Sequence, residues 1–438
     1  MNSIRKIMIK TKPMIAIMIA LILVGVVAVI LIARAPTFRL GQPISTPIGT
    51  FGGISYVQYD GIFEGKTSSG AYRVPYRITA PADPSSGNHT ILVEPPHYAI
   101  GLGVLEINLG QDFLFSRGFA HAGIGWSTTT NSDGDFRILD PTVPGVFING
   151  GVLDENGRTD DEIIVDFARA LAVDPVARQI LGRVQHRYVT GFSDSSGPIL
   201  RLVNSGHAKG VFDFALVFVA EEYDSQIALA ANSYRGKLMI VNSEFEGASA
   251  SFIDRGDTPD QYRFYAIAGT PHIPDFLDLP FFTSNSTPAS YQPELRAHFL
   301  QGHDWVIDGT QPPPSTHLKT SDDGTLARDV NGNAISINAI GQIVPRLPFI
   351  ELGEGHFISD FVGSYENVKM MEELGFLSYD AYLQAFEEKL ADYVNARYIL
   401  QEDATAMFRR AELCPPLTFT ETYREHYDAF IAIIPCGE

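Results

Sequence analysis

The stretch Gly191-Phe192-Ser193-Asp194-Ser195 constrains the fold more than any other part of the chain. Upstream, residues 184–190 place β-formers at alternate positions and read as a short strand. Downstream, residues 195–206 read as a helix start. A serine between strand and helix, with a glycine two residues before it, is the local plan of a nucleophile elbow. The turn is so sharp that its flanking positions must be small, and the serine oxygen stands clear of the backbone. Gly191 fills the first small position, and Ser195 stands where a second glycine is usual. That departure weakens the motif, because G-x-S-x-S also occurs as an ordinary polar turn. Its weight depends on the partners found elsewhere in the chain.

The surrounding pattern supplies a frame for the elbow. Residues 55–63 and 71–79 form a β-rich start, 83–88 a turn, and Thr90–Glu94 a compact buried strand. Residues 119–126 read as the next strand. Residues 160–181 read as one helix: Asp160 or Thr159 can cap it, and Ile163, Ile164, Phe167 and Leu171 share a face. Strand-like runs follow the elbow at 212–220, 237–241 and Tyr262–Ile267, then a helix at 295–308, an irregular excursion at 318–349 and a helical stretch at 379–413. Strands alternating with helices predict an α/β fold with a mostly parallel sheet covered on both faces. Sites in such sheets gather beyond the carboxyl ends of the strands, where the elbow lies.

Met14 to Ala33 is an uncharged run of 20 residues. As a helix it spans roughly 30 Å, the thickness of a bilayer core. Arg5, Lys6, Lys10 and Lys12 precede it, which predicts a cytoplasmic stub (1–13), a transmembrane signal anchor (14–33) and an exported remainder. The rival is a cleaved signal peptide followed by secretion, with Ala33-Arg34-Ala35 as the cleavage site. The run exceeds the usual signal core of roughly 7–15 residues, and Pro36 beside the cut opposes cleavage. Residues 34–53, rich in proline and glycine, read as a linker, and 54–438 as one elaborated domain with C-terminal caps. Removing the +5 of residues 1–34 from the formal −19 leaves −24 on the other 404 residues. Such a surface repels phosphates, so nucleic acid is not an expected partner. Composition is silent on oligomeric state. Cys414 and Cys436 are the two cysteines, and they read equally as a bridge or as two thiols.

A serine alcohol needs a base within hydrogen-bond reach to act as a nucleophile. The loop after Tyr262–Ile267 carries His272, the candidate general base; alone, a loop histidine is more often structural. A carboxylate should orient the imidazole, and it belongs after the intervening strand, at Glu244 or Glu246. Both are within reach. Acids in such sites tend to lie a few residues past the strand, which favours Glu246; otherwise each is a solvated loop charge. The chain order serine, acid, histidine is the one α/β-hydrolases use. For an oxyanion, the amide of Asp194 is one candidate donor. The loop after Thr90–Glu94 offers His97 and Tyr98 as the second, since Pro95 and Pro96 lack N–H groups.

The chain resembles the large exported "α/β hydrolase domain" family. The resemblance is carried by Asp83-Pro84 with residues 90–98, by Ser116-Arg117-Gly118-Phe119 running into Gly125-Trp126, and by the elbow followed by Leu200-Arg201 and Val211-Phe212-Asp213. Residues 263–272 ending Ala-Gly-Thr-Pro-His, Asp308-Gly309-Thr310 with Pro312 to Pro314, Asp323-Gly324-Thr325, and Gln401-Glu402-Asp403-Ala404 continue it. It covers roughly residues 55–413. It implies an α/β-hydrolase fold with Ser193, Glu246 and His272 as a triad; no cofactor is expected. Two positions depart from the family pattern: Asp194 where Gln is common, and Pro96-His97 in place of a more polar, Asn-containing loop. The expected activity is serine hydrolysis of a small-molecule carboxylic ester. An acyltransferase or amidase with the same triad, and a silent hydrolase-fold binding module, are the rivals; the charge of Asp194 is the best argument for the last.

Other polar clusters carry less. Asn131 with Asp133-Gly134-Asp135 lacks the 12-residue calcium pattern, and Asn331-Gly332-Asn333 reads as a turn. His303, His317 and His356 have no metal-ligand spacing. Asn88 and Asn285 head glycosylation acceptor triplets.

Overall fold

A computed structural model describes residues 38–67, 70–96, 108–126, 161–220, 225–248, 252–273, 289–366, 369 and 373–413. The expected anchor at 14–33, the loop residues His97 and Tyr98, Asp133 to Asp135, Asn285, Cys414 and Cys436 lie outside the described residues. Among the described residues no helix is long and apolar enough to cross a membrane.

Among the described residues twelve strands form one sheet. They are β1 (Arg39–Leu40), β2 (Ile44–Phe51), β3 (Ile54–Thr67), β4 (Gly70–Pro81), β5 (Thr90–Glu94), β6 (Ala120–Ile124), β7 (His186–Phe192), β8 (Phe214–Phe218), β9 (Lys237–Ser243), β10 (Tyr262–Ile267), β11 (Thr316–Leu318) and β12 (Ser336–Asn338). Their order is β1-β3-β4-β6-β5-β7-β8-β9-β10-β11-β12, with β2 on β3. From β6 to β11 every neighbouring pair is parallel. The chain leaves β5 toward β6 on one side and resumes at β7 on the other, so β5 and β7 flank a switch in direction. Ligand crevices open at the carboxyl ends of such strands.

In the parallel part of the sheet both faces are buried, which is why β5, β8, β9 and β10 read as continuous apolar runs. Side chains alternate across the sheet. Ile91, Val93, Ala215, Val217, Leu238, Ile240 and Phe264 enter one core with the helices Glu162–Val173 and Ser196–Ser205. Leu92, Leu216, Met239, Val241, Tyr265 and Ile267 enter the other with the helix Gln292–Ile307 and the C-terminal helices. Gly302 lets Gln292–Ile307 lie against the sheet: a Cβ there would meet the Phe214 ring at 2.1 Å.

Three expectations are corrected. The supposed linker at 34–53 is in part sheet, since β1 and β2 both pair with β3. Gly52 and Gly53 form the turn between β2 and β3, and the register shift at Pro47/Gly49 falls on an edge strand, where a missing N–H is tolerated. The helix expected over 160–181 is two, Glu162–Val173 and Pro175–Leu181. Asp174 adopts extended backbone between them, accepts from the Val176 and Ala177 amides, and Pro175 takes the first helical position. Asp174 also accepts from Leu40 N, tying β1 to this break. The last helical stretch likewise divides into Tyr379–Asn395 and Gln401–Leu413, with Arg397 at φ 66° in the joint. The 318–349 excursion contributes β11 in part, β12 and isolated bridges before a short hairpin, β13 (His356–Ile358) and β14 (Ser364–Glu366).

Candidate active site

β7 ends at Phe192, and Ser193 follows with φ 51°, a left-handed backbone that non-glycine residues rarely adopt. Such strain persists only where surrounding contacts enforce it. Gly191 is one: a Cβ there would lie 2.4 Å from the Ser195 carbonyl oxygen and 2.8 Å from Ile199 Cδ1. Ser195 is the other. Its hydroxyl donates to Phe192 O at 3.0 Å and accepts from Phe192 N at 2.9 Å, clamping the turn around Ser193. Ser196 Oγ then donates to Gly191 O (2.9 Å) and Phe218 O (3.1 Å), joining the elbow to β8. The serine in the second small position therefore replaces a glycine's freedom with two hydrogen bonds. Ser193 is partly exposed beyond the strand end, and Asp194 opens the turn into the helix Ser196–Ser205. The Asp194 side chain is exposed to solvent, which screens its charge.

The next parallel strands bring up the partners. β9 ends at Ser243, and the helical turn Glu244–Gly247 follows. Ser243 Oγ accepts from Phe245 N and donates to Glu246 Oε2 at 2.5 Å, fixing the carboxylate in place. The spacing Ser243-x-x-Glu246 matches the capping-box pattern, and here the Glu246 carboxylate accepts from the Ser243 hydroxyl. Beyond β10, the loop carries His272. Its Nδ1 is hydrogen-bonded to Glu246 Oε1, and its Nε2 lies 2.8 Å from Ser193 Oγ. An ionised carboxylate only accepts, so Nδ1 donates and Nε2 is left to accept the Ser193 hydroxyl proton. Histidine and glutamate are nearly buried, with side-chain exposures of 9% and 8%.

Glu244, left open beside Glu246 by the sequence, faces elsewhere. It is buried, its Oε2 accepts from Gly269 N at 2.7 Å, and its Oε1 pairs with Arg328 at 3.0 Å. Its backbone N–H donates to Thr270 O. Burial raises its carboxyl above the ordinary value of 4.5. Glu244 thus holds the backbone of the histidine loop and does not contact the imidazole.

Aromatic rings enclose that imidazole. Phe361 stacks on it with centroids 4.7 Å apart at 15°, Phe245 meets it edge-on at 6.0 Å, and Phe192 packs at 5.6 Å. Phe361 lies between β13 and β14, in a connection that also holds the loop: Ile273 N donates to Phe361 O at 2.9 Å, and Ser359 Oγ to Thr270 O at 2.6 Å. No sequence signal marks Phe361, because the hairpin is short and lies far from His272 in the chain. Beside the switch, the buried Glu94 at the end of β5 meets His121 of β6 at 2.9 Å, and Trp126 Nε1 donates to Pro96 O at 3.0 Å. These contacts fix the start of the loop that continues to His97 and Tyr98.

The three histidines without metal spacing lie in unrelated surroundings. His303 Nδ1 bonds Tyr188 OH at 2.7 Å, His356 meets Glu366, and burial lowers the His317 value. Asn88 of the first glycosylation triplet is partly buried, accepting from Thr90 N and donating to Arg117 O, so its amide is engaged within the fold.

Chemically, the arrangement combines a strained, partly exposed serine with an oriented imidazole and a fixed carboxylate. It can remove a proton from Ser193 Oγ and return it to a leaving group. The family described as alpha/beta hydrolase domain matches residues 58–409. No curated protein matches the chain. Among solved structures the chain is similar to an S-formylglutathione hydrolase from Agrobacterium tumefaciens, at 10% identity and TM-score 0.31, over 52% of this chain and 91% of that one. It is also similar to a glucuronoyl esterase from Solibacter usitatus, at 12% identity and TM-score 0.30, over 48% and 69% of the two chains. A cold-adapted esterase from an Arctic intertidal metagenomic library gives 15% identity and TM-score 0.28, over 43% and 73%.

Proposed function

The chain belongs to the alpha/beta hydrolase domain family, and from that premise we propose that it is a serine hydrolase of small-molecule carboxylic esters. The observation that carries this reading is the unbroken chain of hydrogen bonds from Ser193 through His272 to Glu246. His272 Nε2 takes the hydroxyl proton as Ser193 Oγ attacks the ester carbonyl. The carbonyl oxygen becomes an oxyanion, for which the Asp194 amide at the helix start is one donor and His97 or Tyr98 the source of the second. Collapse breaks the ester C–O bond, and His272 passes its proton to the departing alcohol. Water, deprotonated by His272, then attacks the acyl carbon, the acyl–Oγ bond breaks to release the acid, and His272 returns the proton to Ser193 Oγ. Glu246 holds the imidazole in the tautomer that leaves Nε2 free to accept, and it stabilises the imidazolium. Esters are favoured over amides because an amine leaving group demands stronger protonation.

The test is a panel of p-nitrophenyl esters of increasing acyl length with wild type and Ser193→Ala. The reading expects hydrolysis by wild type and a loss of about 10³-fold or more in kcat/KM for the variant. Equal rates for the two proteins would end it. We further propose that residues 14–33 anchor the enzyme in a membrane with the catalytic domain outside the cytoplasm, on the strength of the 20-residue uncharged run and the basic stub before it. Protease added to intact cells should digest the domain; full protection there, with digestion after lysis, would contradict this orientation.

A further inference from the structure

The site carries apolar surface that proton transfer does not use. Phe245 and Phe361 are 48% and 50% exposed, although both touch the nearly buried imidazole of His272. They come from separate segments, the turn after β9 and the hairpin β13–β14, and pack edge to face on each other with centroids 6.3 Å apart at 76°. Isolated exposed apolar residues are ordinary, but two rings paired at the mouth of a reactive site form a contact surface. We infer that these rings are the subsite for the alcohol half of the substrate, and that the preferred substrates are esters of apolar, ring-sized alcohols. This rests on the ester-hydrolase reading above.

The chemistry decides which half of the ester meets the rings. When the tetrahedral intermediate collapses, the bond that breaks joins the carbonyl carbon to the alcohol oxygen, and the proton that oxygen receives comes from His272 Nε2. The alcohol oxygen must therefore come within hydrogen-bond reach of Nε2. The acyl carbon stays on Ser193 Oγ, on the elbow side. Whatever the alcohol carries beyond its oxygen extends along the surroundings of the imidazole, where Phe361 lies parallel to the ring and Phe245 stands at its edge. A sugar or other polyol would need hydrogen-bonding groups there. The nearby hairpin turns such groups onto its own neighbourhood: Ser359 Oγ donates to Thr270 O, and Asp360 Oδ1 accepts from Gly363 N at 2.6 Å. Among the described residues, the half-exposed side chains that contact the imidazole are the aromatic rings of Phe245 and Phe361.

The experiment compares benzyl acetate with 2-methoxyethyl acetate on the full-length protein. The acyl group is shared and the alcohols are of similar acidity, and kcat/KM reports only the steps through acylation. Wild type should favour the benzyl ester by about tenfold, the size of an aromatic contact made in the transition state. Phe245→Ala and Phe361→Ala should bring the ratio toward one, while Phe361→Leu, which keeps apolar contact, should retain most of it. Phe361→Ala should also slow both esters by a common factor, because it unstacks His272; the ratio is unaffected by that factor. Phe245 is half exposed, so its replacement keeps the test open if the Phe361 variants do not fold. A wild-type ratio near or below one, or a ratio unchanged in the folded Phe→Ala variants, overturns the subsite while Ser193-dependent hydrolysis stands. Hydrolysis of neither ester by wild type, or equal hydrolysis by Ser193→Ala, overturns the ester-hydrolase reading and the subsite with it.

Discussion

Ser195→Ala is the most informative change in the elbow, because this serine stands where a glycine is usual. The hydroxyl is buried and makes two hydrogen bonds to one residue, donating to Phe192 O at 3.0 Å and accepting from Phe192 N at 2.9 Å. At roughly 0.5–1.5 kcal/mol net for each bond, the substitution should destabilise the protein by about 1–3 kcal/mol. The second consequence is local. Ser193 is held at φ 51°, a conformation that itself costs on the order of 1–3 kcal/mol. Loosening the clamp lets the backbone relax away from it and carries Ser193 Oγ off its 2.8 Å contact with His272 Nε2. A shift of about 1 Å lowers rates on the order of 10²-fold, so a reaction-rate loss of about 10- to 100-fold is expected. Urea unfolding gives the first quantity and the pseudo-first-order inactivation rate by a phosphonylating reagent the second. Unchanged stability would refute the hydrogen-bond argument. Lost stability with an unchanged inactivation rate would refute the claim that Ser195 shapes the nucleophile's geometry.

Three further outcomes follow from the same geometry. Glu246→Gln should lower kcat/KM on an activated ester by about 10²–10⁴-fold with little change in unfolding midpoint, whereas Glu244→Gln, which does not touch His272, should cost far less activity. Arg328→Gln removes the cation paired with the buried Glu244; because Arg328 is 39% exposed the loss should be about 1–2 kcal/mol rather than that of a fully buried pair. Burial already raises the Glu244 carboxyl above 4.5, so the folded state binds a proton before the unfolded chain does, and the deficit of this variant should shrink as pH falls from 7.5 toward 5. Burial lowers His303 below its ordinary 6.5, so the unfolded chain takes up a proton first; wild type should lose stability as pH falls through and below 6.5, at no more than about 1.4 kcal/mol per pH unit from this group, and His303→Gln should flatten that part of the urea-unfolding profile.

The parts of the fold that could be read from the sequence are those whose neighbours do not matter. β5, β9 and β10 are buried on both faces, so their apolar runs declare them wherever they pair. The elbow declares itself because its sterics are local, and His272 followed from the loop after β10. The misread parts depend on partners distant in sequence. β2 is mostly exposed and proline-containing, and it becomes a strand only because β3 offers an edge. The divided helices keep one apolar periodicity across their joints, so the breaks at Asp174 and Arg397 hide beneath it. Distance past β9 favours Glu246 over Glu244, and the structure adds what that spacing does not fix, the side-chain direction within one helical turn. Phe361 reaches His272 through a hairpin that the local pattern around 356–366 does not announce.

The central claim is that Ser193 is an activated nucleophile. It is tested most directly by treating the purified, folded protein with a fluorescent fluorophosphonate beside Ser193→Ala and His272→Ala, and by locating the adduct with peptide mass spectrometry. The account predicts one phosphonyl adduct on Ser193 in wild type, none at that position in Ser193→Ala, and labelling slowed by about 10²-fold or more in His272→Ala. A folded wild type that stays unlabelled, or equal labelling of all three proteins, would contradict it.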